Sequence, residues 1–307
     1  MRLLITGAWK EAEKYIPLIE KQGHSVVFMQ QEQGRLPCLY TWAEGVICNG
    51  LFLYHDIRDF INLKYIQLTS AGMDRVPVDY IRDNNIELHN VRGVYSVPMA
   101  EHAVSAVLNI FRDSRFFFEN QAEHIWEKKR DLRELCGSKV CVIGCGSVGT
   151  ECAKRFSTFG CEVTGIDLYP RDNPSFRRIS GLDKLYDELP EADVVVLTLP
   201  LDLETEGLVG KKFLGSLKNG CVIVNISRGK IIDTEAMIEA LSAHRLSAAL
   251  DVFEDEPLEK SSPLWDMENV IITPHNSFVG NGNDNRLGKV ILRGLSDGQG
   301  DDKSALR

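Results

Sequence analysis

The sequence predicts an α/β fold of two domains, each a parallel sheet covered by helices. Three observations carry this. The chain has 307 residues and 44% apolar content, which is long for a single domain. Apolar runs of strand length alternate with helical stretches. And two such series occur, separated by one long helical pattern.

The first series comprises Leu3–Ile5, Val26–Phe28, Val46–Cys48, Tyr65–Leu68 and Ile86–Leu88. The helical pattern runs from about Met99 to Glu123. Its wide apolar face, formed by Ala103, Val104, Val107, Leu108, Ile110 and Phe111, suits a helix between domains or subunits. The second series comprises Val140–Ile143, Glu162–Ile166, Val194–Leu197, Val222–Val224, Ala248–Leu250 and Val270–Ile272. That number of strands suffices for a complete doubly wound, Rossmann-type nucleotide fold. The polar run Ser296–Asp302 reads as a frayed tail.

Composition excludes several classes. No stretch reaches the roughly 18 uninterrupted apolar residues of a membrane span, since even Val194–Leu201 is broken by Thr198 and Pro200. The short run Met1–Gly7 resembles a buried strand more than an export signal, so a cytoplasmic protein is expected. The net charge is −9. The basic clusters Lys128–Arg130 with Arg133, and Arg177–Arg178, are short solvated faces, and no nucleic-acid partner is expected. The eight cysteines read as reduced, buried thiols. Cys141 and Cys145 lack paired metal spacing, and Cys145 lies between glycines with another use, so no metal site is expected.

That other use is the run Gly144-Cys145-Gly146-Ser147-Val148-Gly149, which follows one strand and opens a helix over Val148–Phe159. This is the context a dinucleotide fingerprint requires. Gly144 permits the tight turn, Gly146 lets backbone N–H groups approach a pyrophosphate, and Gly149 allows close helix–strand packing at a positive helix N-terminus. Asp167 closes the next strand, where a carboxylate accepts from both ribose hydroxyls and repels a 2′-phosphate. The pairing predicts NAD.

Reduction of a 2-oxo acid needs a cation for the carboxylate, a proton donor for the ketone and a partner for that donor. Arg228 follows the strand Val222–Val224, at the carboxyl edge where open α/β sheets bind ligands. Glu256 and His275 each lie just beyond another strand end. A carboxylate beside an imidazole favours its protonated form, which makes His275 the expected acid.

With these residues in place the chain resembles the D-isomer-specific 2-hydroxyacid dehydrogenases over roughly residues 40 to 280. The matching stretches are Leu63–Ile66, Ser70–Asp74, Met99–His102, Gly137–Val140, the glycine loop with Asp167, Leu199–Leu201 with Glu204-Thr205, Asn225–Gly229, Asp251–Phe253 with Glu256-Pro257, and Pro274-His275. The resemblance implies Arg228 as substrate holder, His275 as acid/base and Glu256 as its partner. It implies that Asp251 binds the nicotinamide carboxamide, that Pro200 and Ile226 line the cofactor cleft, and that the backbone around Ser70, Ala71 and Gly72 receives the substrate carboxylate. It further implies a discontinuous, flavodoxin-like substrate domain, residues 1–97 and 278–307, into which the nucleotide domain 98–277 is inserted, and a homodimer joined through nucleotide domains.

Two departures stand out. The usual closing helix-and-strand wording is not recognisable after Arg286-Leu287, and Asn49-Gly50 stands where phosphoglycerate-handling members present arginine. A small 2-oxo acid with an uncharged C3 group is therefore the expected substrate. Within the same resemblance, an NAD(H)-sensing, corepressor-like regulator is the competing reading. Formate dehydrogenases are disfavoured because they pair the histidine with glutamine, where this chain has Glu256.

Overall fold

The computed structural model describes residues 1–73 and 75–297. The chain divides into two compact units, Met1–Tyr95 with the segment from Gly280, and Ser96–Val279.

The first unit contains β1 (Arg2–Thr6), α1 (Ala12–Lys21), β2 (Ser25–Met29), β3 (Gly45–Cys48), β4 (Tyr65–Leu68), α2 (Val78–Asp83) and β5 (Glu87–His89). The strands pair in parallel in the order β2-β1-β3-β4-β5, the flavodoxin-like arrangement. β3 and β4 are buried along their whole length, which explains their unbroken apolar runs: a parallel strand covered on both faces has no polar side.

A closing helix, Asn283–Asp297, belongs to this unit, although its wording after Arg286-Leu287 is not the one usual in the family. Leu287, Ile291 and Leu295 recur every fourth residue and are buried with Trp9, Tyr15 and Ile19. The positions between hold Gly288, Lys289 and Val290, then Leu292, Arg293 and Gly294, and the two glycines weaken the helical signal. Ser296 and Asp297 end this helix instead of beginning a frayed tail. The remainder of that run, and Asp74 of the Ser70–Asp74 stretch, lie outside the described residues.

The second unit contains α3 (Ser96–Phe111), α4 (Ser114–Ala122), β6 (Lys139–Ile143), α5 (Ser147–Thr158), β7 (Glu162–Ile166), β8 (Arg178–Ser180), α6 (Leu185–Glu188), β9 (Val194–Leu197), α7 (Lys211–Ser216), β10 (Val222–Asn225), α8 (Thr234–Ser242), β11 (Ser247–Leu250) and β12 (Val270–Ile272). All strands are parallel, in the order β12-β11-β10-β9-β6-β7-β8. Alternate strand residues feed two cores. Ile143, Leu197 and Ile223 pack with Phe213 of α7 and Met237 of α8, while Val142, Val196 and Val224 pack with Val107 of α3 and Phe156 of α5. The order reverses at β6 and β9, a switch point of the kind that binds nucleotides.

Three details depart from the sequence reading. The expected helix from Met99 to Glu123 is two helices, broken where Asp113 takes φ 46°, a left-handed conformation Asp tolerates better than most residues. The seventh strand, β8, is three residues at the sheet edge and carries too little apolar sequence to stand out. Among the cysteines, Cys136 is exposed and Cys38 and Cys145 are partly so; only the remaining five are buried. No helix among the described residues is long and apolar enough to cross a membrane.

Gly288 marks the tightest packing of the closing helix on α1. A Cβ there would lie 2.2 Å from Cζ of Tyr15, whose ring is buried. Gly288→Val is therefore expected to lower the unfolding free energy by about 1–3 kcal/mol, read from the denaturant midpoint. An unchanged midpoint would mean that Tyr15 moves aside freely.

Candidate active site

Every residue singled out in the second unit lies at or beyond the carboxyl end of a strand. The glycine loop follows β6, Asp167 follows β7, Pro200 follows β9, Arg228 follows β10, Asp251 and Glu256 follow β11, and His275 follows β12. Because adjacent strands lie about 4.8 Å apart, one sheet edge gathers them without any long-range turn of the chain.

The glycine loop has the geometry of a phosphate cradle. Gly144 has φ +99°, and a Cβ there would meet the backbone of Thr198 and Leu199 at 2.8 Å. A Cβ on Gly149 would lie 2.0 Å from the Gly144 carbonyl oxygen. Side chains are excluded at both positions, which brings the N-terminus of α5, with Ser147 and Val148 half-exposed, close against the turn. Asp167 accepts from Cys145 N at 2.6 Å and Tyr169 N at 2.9 Å, so its carboxylate is locked over this loop. These features fit a dinucleotide: Gly144, Gly146, Ser147, Val148 and Gly149 would hold its pyrophosphate and Asp167 its ribose. Burial, and then Asp167, push the Cys145 thiol up to about 12, and burial raises Cys141 further. Both are therefore neutral thiols near pH 7.

Arg228 sits in a turn closed by Asn225. The Asn225 Oδ1 accepts from Ser227 N at 3.0 Å and Ser227 Oγ at 2.6 Å, and its Nδ2 donates to the Arg228 carbonyl at 3.1 Å. The guanidinium donates to the Ser227 carbonyl at 2.8 Å. Among the described residues, none of the salt bridges takes up Arg228, which leaves it a cation without an internal counter-ion. The next residue, Gly229, packs so closely on the Phe253–Glu254 backbone that a Cβ would lie 1.8 Å from the Phe253 carbonyl carbon. The loops after β10 and β11 thus fit together only through glycine.

Glu256 and His275 meet. The His275 Nδ1 and Glu256 Oε2 are 2.8 Å apart, while Glu256 Oε1 accepts from Phe253 N at 3.1 Å. Both side chains remain about two-fifths exposed, at 43% and 37%. With Nδ1 engaged, Nε2 is the ring atom left for a substrate. Phe278 sits edge-on to the imidazole, ring centroids 6.1 Å apart.

Asp251 does something the sequence did not reveal. It is 1% exposed. Its Oδ1 accepts from Thr273 Oγ1 at 2.5 Å and Asn276 N at 2.8 Å, its Oδ2 accepts from Ser277 N at 2.9 Å, and its carbonyl accepts from His275 N at 2.7 Å. One buried residue therefore fixes the segment that carries His275, which itself has φ 50°. Thr273 also contacts His102 Nε2 at 3.4 Å. Burial lowers the His102 pKa against the opposing pull of Asp251, so His102 is neutral and, with the Thr273 hydroxyl donating to Asp251, presents Nε2–H to it. Thr273, Asn276 and Ser277 had no signal in the sequence, because two of the three act through backbone N–H groups.

The two residues expected to line the cofactor cleft differ in exposure. The Ile226 side chain is buried in the core with Val224 and Ala249, and Pro200 is exposed, its carbonyl accepting from Thr205 Oγ1 at 2.7 Å. In the first unit, the segment after β4 is held by its carbonyls: Val91 N donates to Ser70 O at 3.2 Å, Asn90 Nδ2 to Ala71 O at 2.8 Å and Ser70 Oγ to Gly72 O at 2.9 Å.

Comparison with known proteins identifies the family. Residues 104–277 match the family model described as D-isomer specific 2-hydroxyacid dehydrogenase, NAD binding domain. A D-2-hydroxyacid dehydrogenase (NAD(+)) from Clostridioides difficile is 32% identical over 246 residues, 74% of this chain and 73% of that protein. D-3-phosphoglycerate dehydrogenase from Archaeoglobus fulgidus is 33% identical over 219 residues, and the aligned region spans 70% of this chain but only 41% of that longer protein. The crystal structure of a D-isomer specific 2-hydroxyacid dehydrogenase family protein from Aeromonas salmonicida superposes with a TM-score of 0.82 at 27% identity, covering 97% of this chain and 95% of the other. The chain belongs to the D-isomer specific 2-hydroxyacid dehydrogenase family, and residues 104–277 form its NAD-binding domain.

Proposed function

We propose that this protein reduces small 2-oxo acids to D-2-hydroxy acids with NADH, and catalyses the reverse oxidation. The observation that carries the reading is the 2.8 Å His275–Glu256 pair, set on the sheet edge that also presents the uncompensated Arg228. When bound, the nicotinamide supplies or accepts the hydride.

The chain's own residues do the rest. The Arg228 fork holds the substrate's carboxylate and ketone oxygens, and polarises the ketone as negative charge develops on it. His275 Nε2 gives its proton to that oxygen. It is left as the neutral tautomer whose Nδ1–H points to Glu256, and Glu256 keeps the ring oriented throughout. In the reverse direction the same nitrogen removes the hydroxyl proton. Asp251 fixes the backbone on either side of His275 and, with Pro200 and the backbone of Ile226, borders the place of the nicotinamide. Ser70, Ala71 and Gly72 receive the substrate carboxylate. The substrate has a small, uncharged C3 group, as in glyoxylate or hydroxypyruvate. The protein acts in the cytoplasm as a homodimer joined through its NAD-binding domains.

The direct test is oxidation of NADH, followed by its absorbance, with a panel of 2-oxo acids. NADH binding without turnover of any acid would instead favour an NAD(H)-sensing protein. His275→Ala and Arg228→Ala are each expected to lower kcat by on the order of a hundredfold or more, with NADH affinity little changed. Glu256→Gln should lower kcat less than His275→Ala does, since it leaves the proton-donating atom in place. Near-normal turnover by His275→Ala would remove it as the acid. Asp167→Ala should narrow a preference for NADH over NADPH, because the carboxylate that opposes a 2′-phosphate is gone. Equal use of both cofactors by the unmodified protein would contradict this.

A further inference from the structure

The first unit carries a carboxylate where its sheet would otherwise present an anion site. Glu32 lies in the loop after β2, and its side chain folds back over the carboxyl ends of β1 and β3. Its Oε1 accepts from Asn49 N at 2.7 Å and from Thr6 Oγ1 at 2.8 Å, and its Oε2 accepts from Gly50 N at 2.8 Å. The Glu32 carbonyl is 2.9 Å from His55 Nε2, whose Nδ1 is 3.1 Å from the Tyr40 hydroxyl. Backbone and side chain of Glu32 are thus both held. Two successive backbone N–H groups and a hydroxyl, converging from adjacent strand ends, are what a bound phosphate or carboxylate uses. Arg75 stands beside them: a Cβ on Gly50 would lie 3.8 Å from its Cδ and 3.5 Å from Glu32 Oε2. Here the anion is the protein's own.

The location gives this a consequence. β3 pairs with β4 in the register Cys48↔Leu68, and Thr69 N donates to the Cys48 carbonyl at 2.8 Å. Asn49–Gly50 and Ser70–Gly72 are therefore neighbouring exits from one sheet edge, about one strand spacing of 4.8 Å apart. From ordinary bond lengths, a phosphate on C3 of a 2-oxo acid lies on the order of 5 Å from the carboxylate carbon. An acid whose carboxylate is received at Ser70–Gly72 can thus extend its distal group toward Asn49–Gly50.

We propose that Glu32 is a specificity-determining residue. By filling the amide pair of Asn49 and Gly50 with an internal carboxylate, it excludes 2-oxo acids that carry a second anionic group and leaves those with a small uncharged side chain. The inference rests on the proposed reduction of 2-oxo acids and on the placement of the substrate carboxylate at Ser70–Gly72. Selectivity here comes from a repelling group that already occupies the amides. Removing the carboxylate leaves both amides, the Thr6 hydroxyl and Arg75 available to an anion.

The test compares the unmodified protein with Glu32→Ala and Glu32→Gln. First, kcat/KM is measured with NADH for hydroxypyruvate and for 3-phosphohydroxypyruvate. The ratio of the phosphorylated to the unphosphorylated acid is expected to rise tenfold or more in Glu32→Ala, and by a smaller factor in Glu32→Gln, which loses the charge but keeps an acceptor oxygen. Second, inorganic phosphate is titrated against thermal unfolding without substrate or cofactor. Glu32→Ala should be stabilised by phosphate at concentrations that leave the unmodified protein unaffected. If Glu32→Ala does not fold, Glu32→Gln carries both measurements. An unchanged substrate ratio, or equal phosphate stabilisation of variant and unmodified protein, would overturn the proposal. Absence of turnover on every acid by the unmodified protein would instead defeat the 2-oxo acid reading, and with it the role in specificity, even where the phosphate titration shows that the amide pair has opened.

Discussion

The carboxyl edge of the second sheet depends on one buried charge. Asp251 is withdrawn from water at the end of β11, a costly position for a carboxylate unless strong donors replace the solvent. Thr273, Asn276 and Ser277 supply them. The result is a clamp between β11 and the segment after β12, with His275 at its centre. Left-handed backbone costs a non-glycine residue roughly 1–2 kcal/mol, and His275 is kept in it by donating its N–H to the Asp251 carbonyl. The conformation turns the imidazole to Glu256, so a buried interaction in the fold sets the orientation of an exposed one in the site.

A similar device recurs in both units. At the carboxyl edge of each parallel sheet, strands deliver loops whose backbone N–H groups would be unpaired, and a carboxylate takes them up: Asp167 at the glycine loop, Asp251 below His275, Glu32 at Asn49–Gly50. Charge-assisted bonds of this kind are stronger than neutral ones and fix loops that lack regular structure. Close glycine contacts complete the arrangement. Gly144, Gly149 and Gly229 admit no Cβ, and through them the cofactor turn meets α5 and the Arg228 loop meets Phe253. The chemistry is thus positioned by short-range contacts between loops on a rigid sheet, where small displacements matter most.

Much of this could be read in the sequence, for identifiable reasons. The central strands announced themselves because both of their faces are buried, and the glycine loop because all its parts are local in sequence. Arg228, Glu256 and His275 stood out because each follows a strand end. What stayed hidden were interactions whose second partner is backbone. Nothing in the identity of Glu32 says that it will accept from Asn49 N and Gly50 N, and Asp251 is joined to residues more than twenty positions away. The break at Asp113 was masked by an apolar pattern that continues on both sides of it, and the closing helix by the two glycines inside it.

In the proposed reduction, a proton from His275 and a hydride from the nicotinamide reach the two ends of one ketone. It is tested most directly by supplying NADH deuterated at the transferable C4 position together with hydroxypyruvate, and then analysing the recovered acid. The expected product is the D-2-hydroxy acid with deuterium on C2. Recovery of the L isomer, or of unchanged acid with the label still on a tightly bound cofactor, would contradict the assignment.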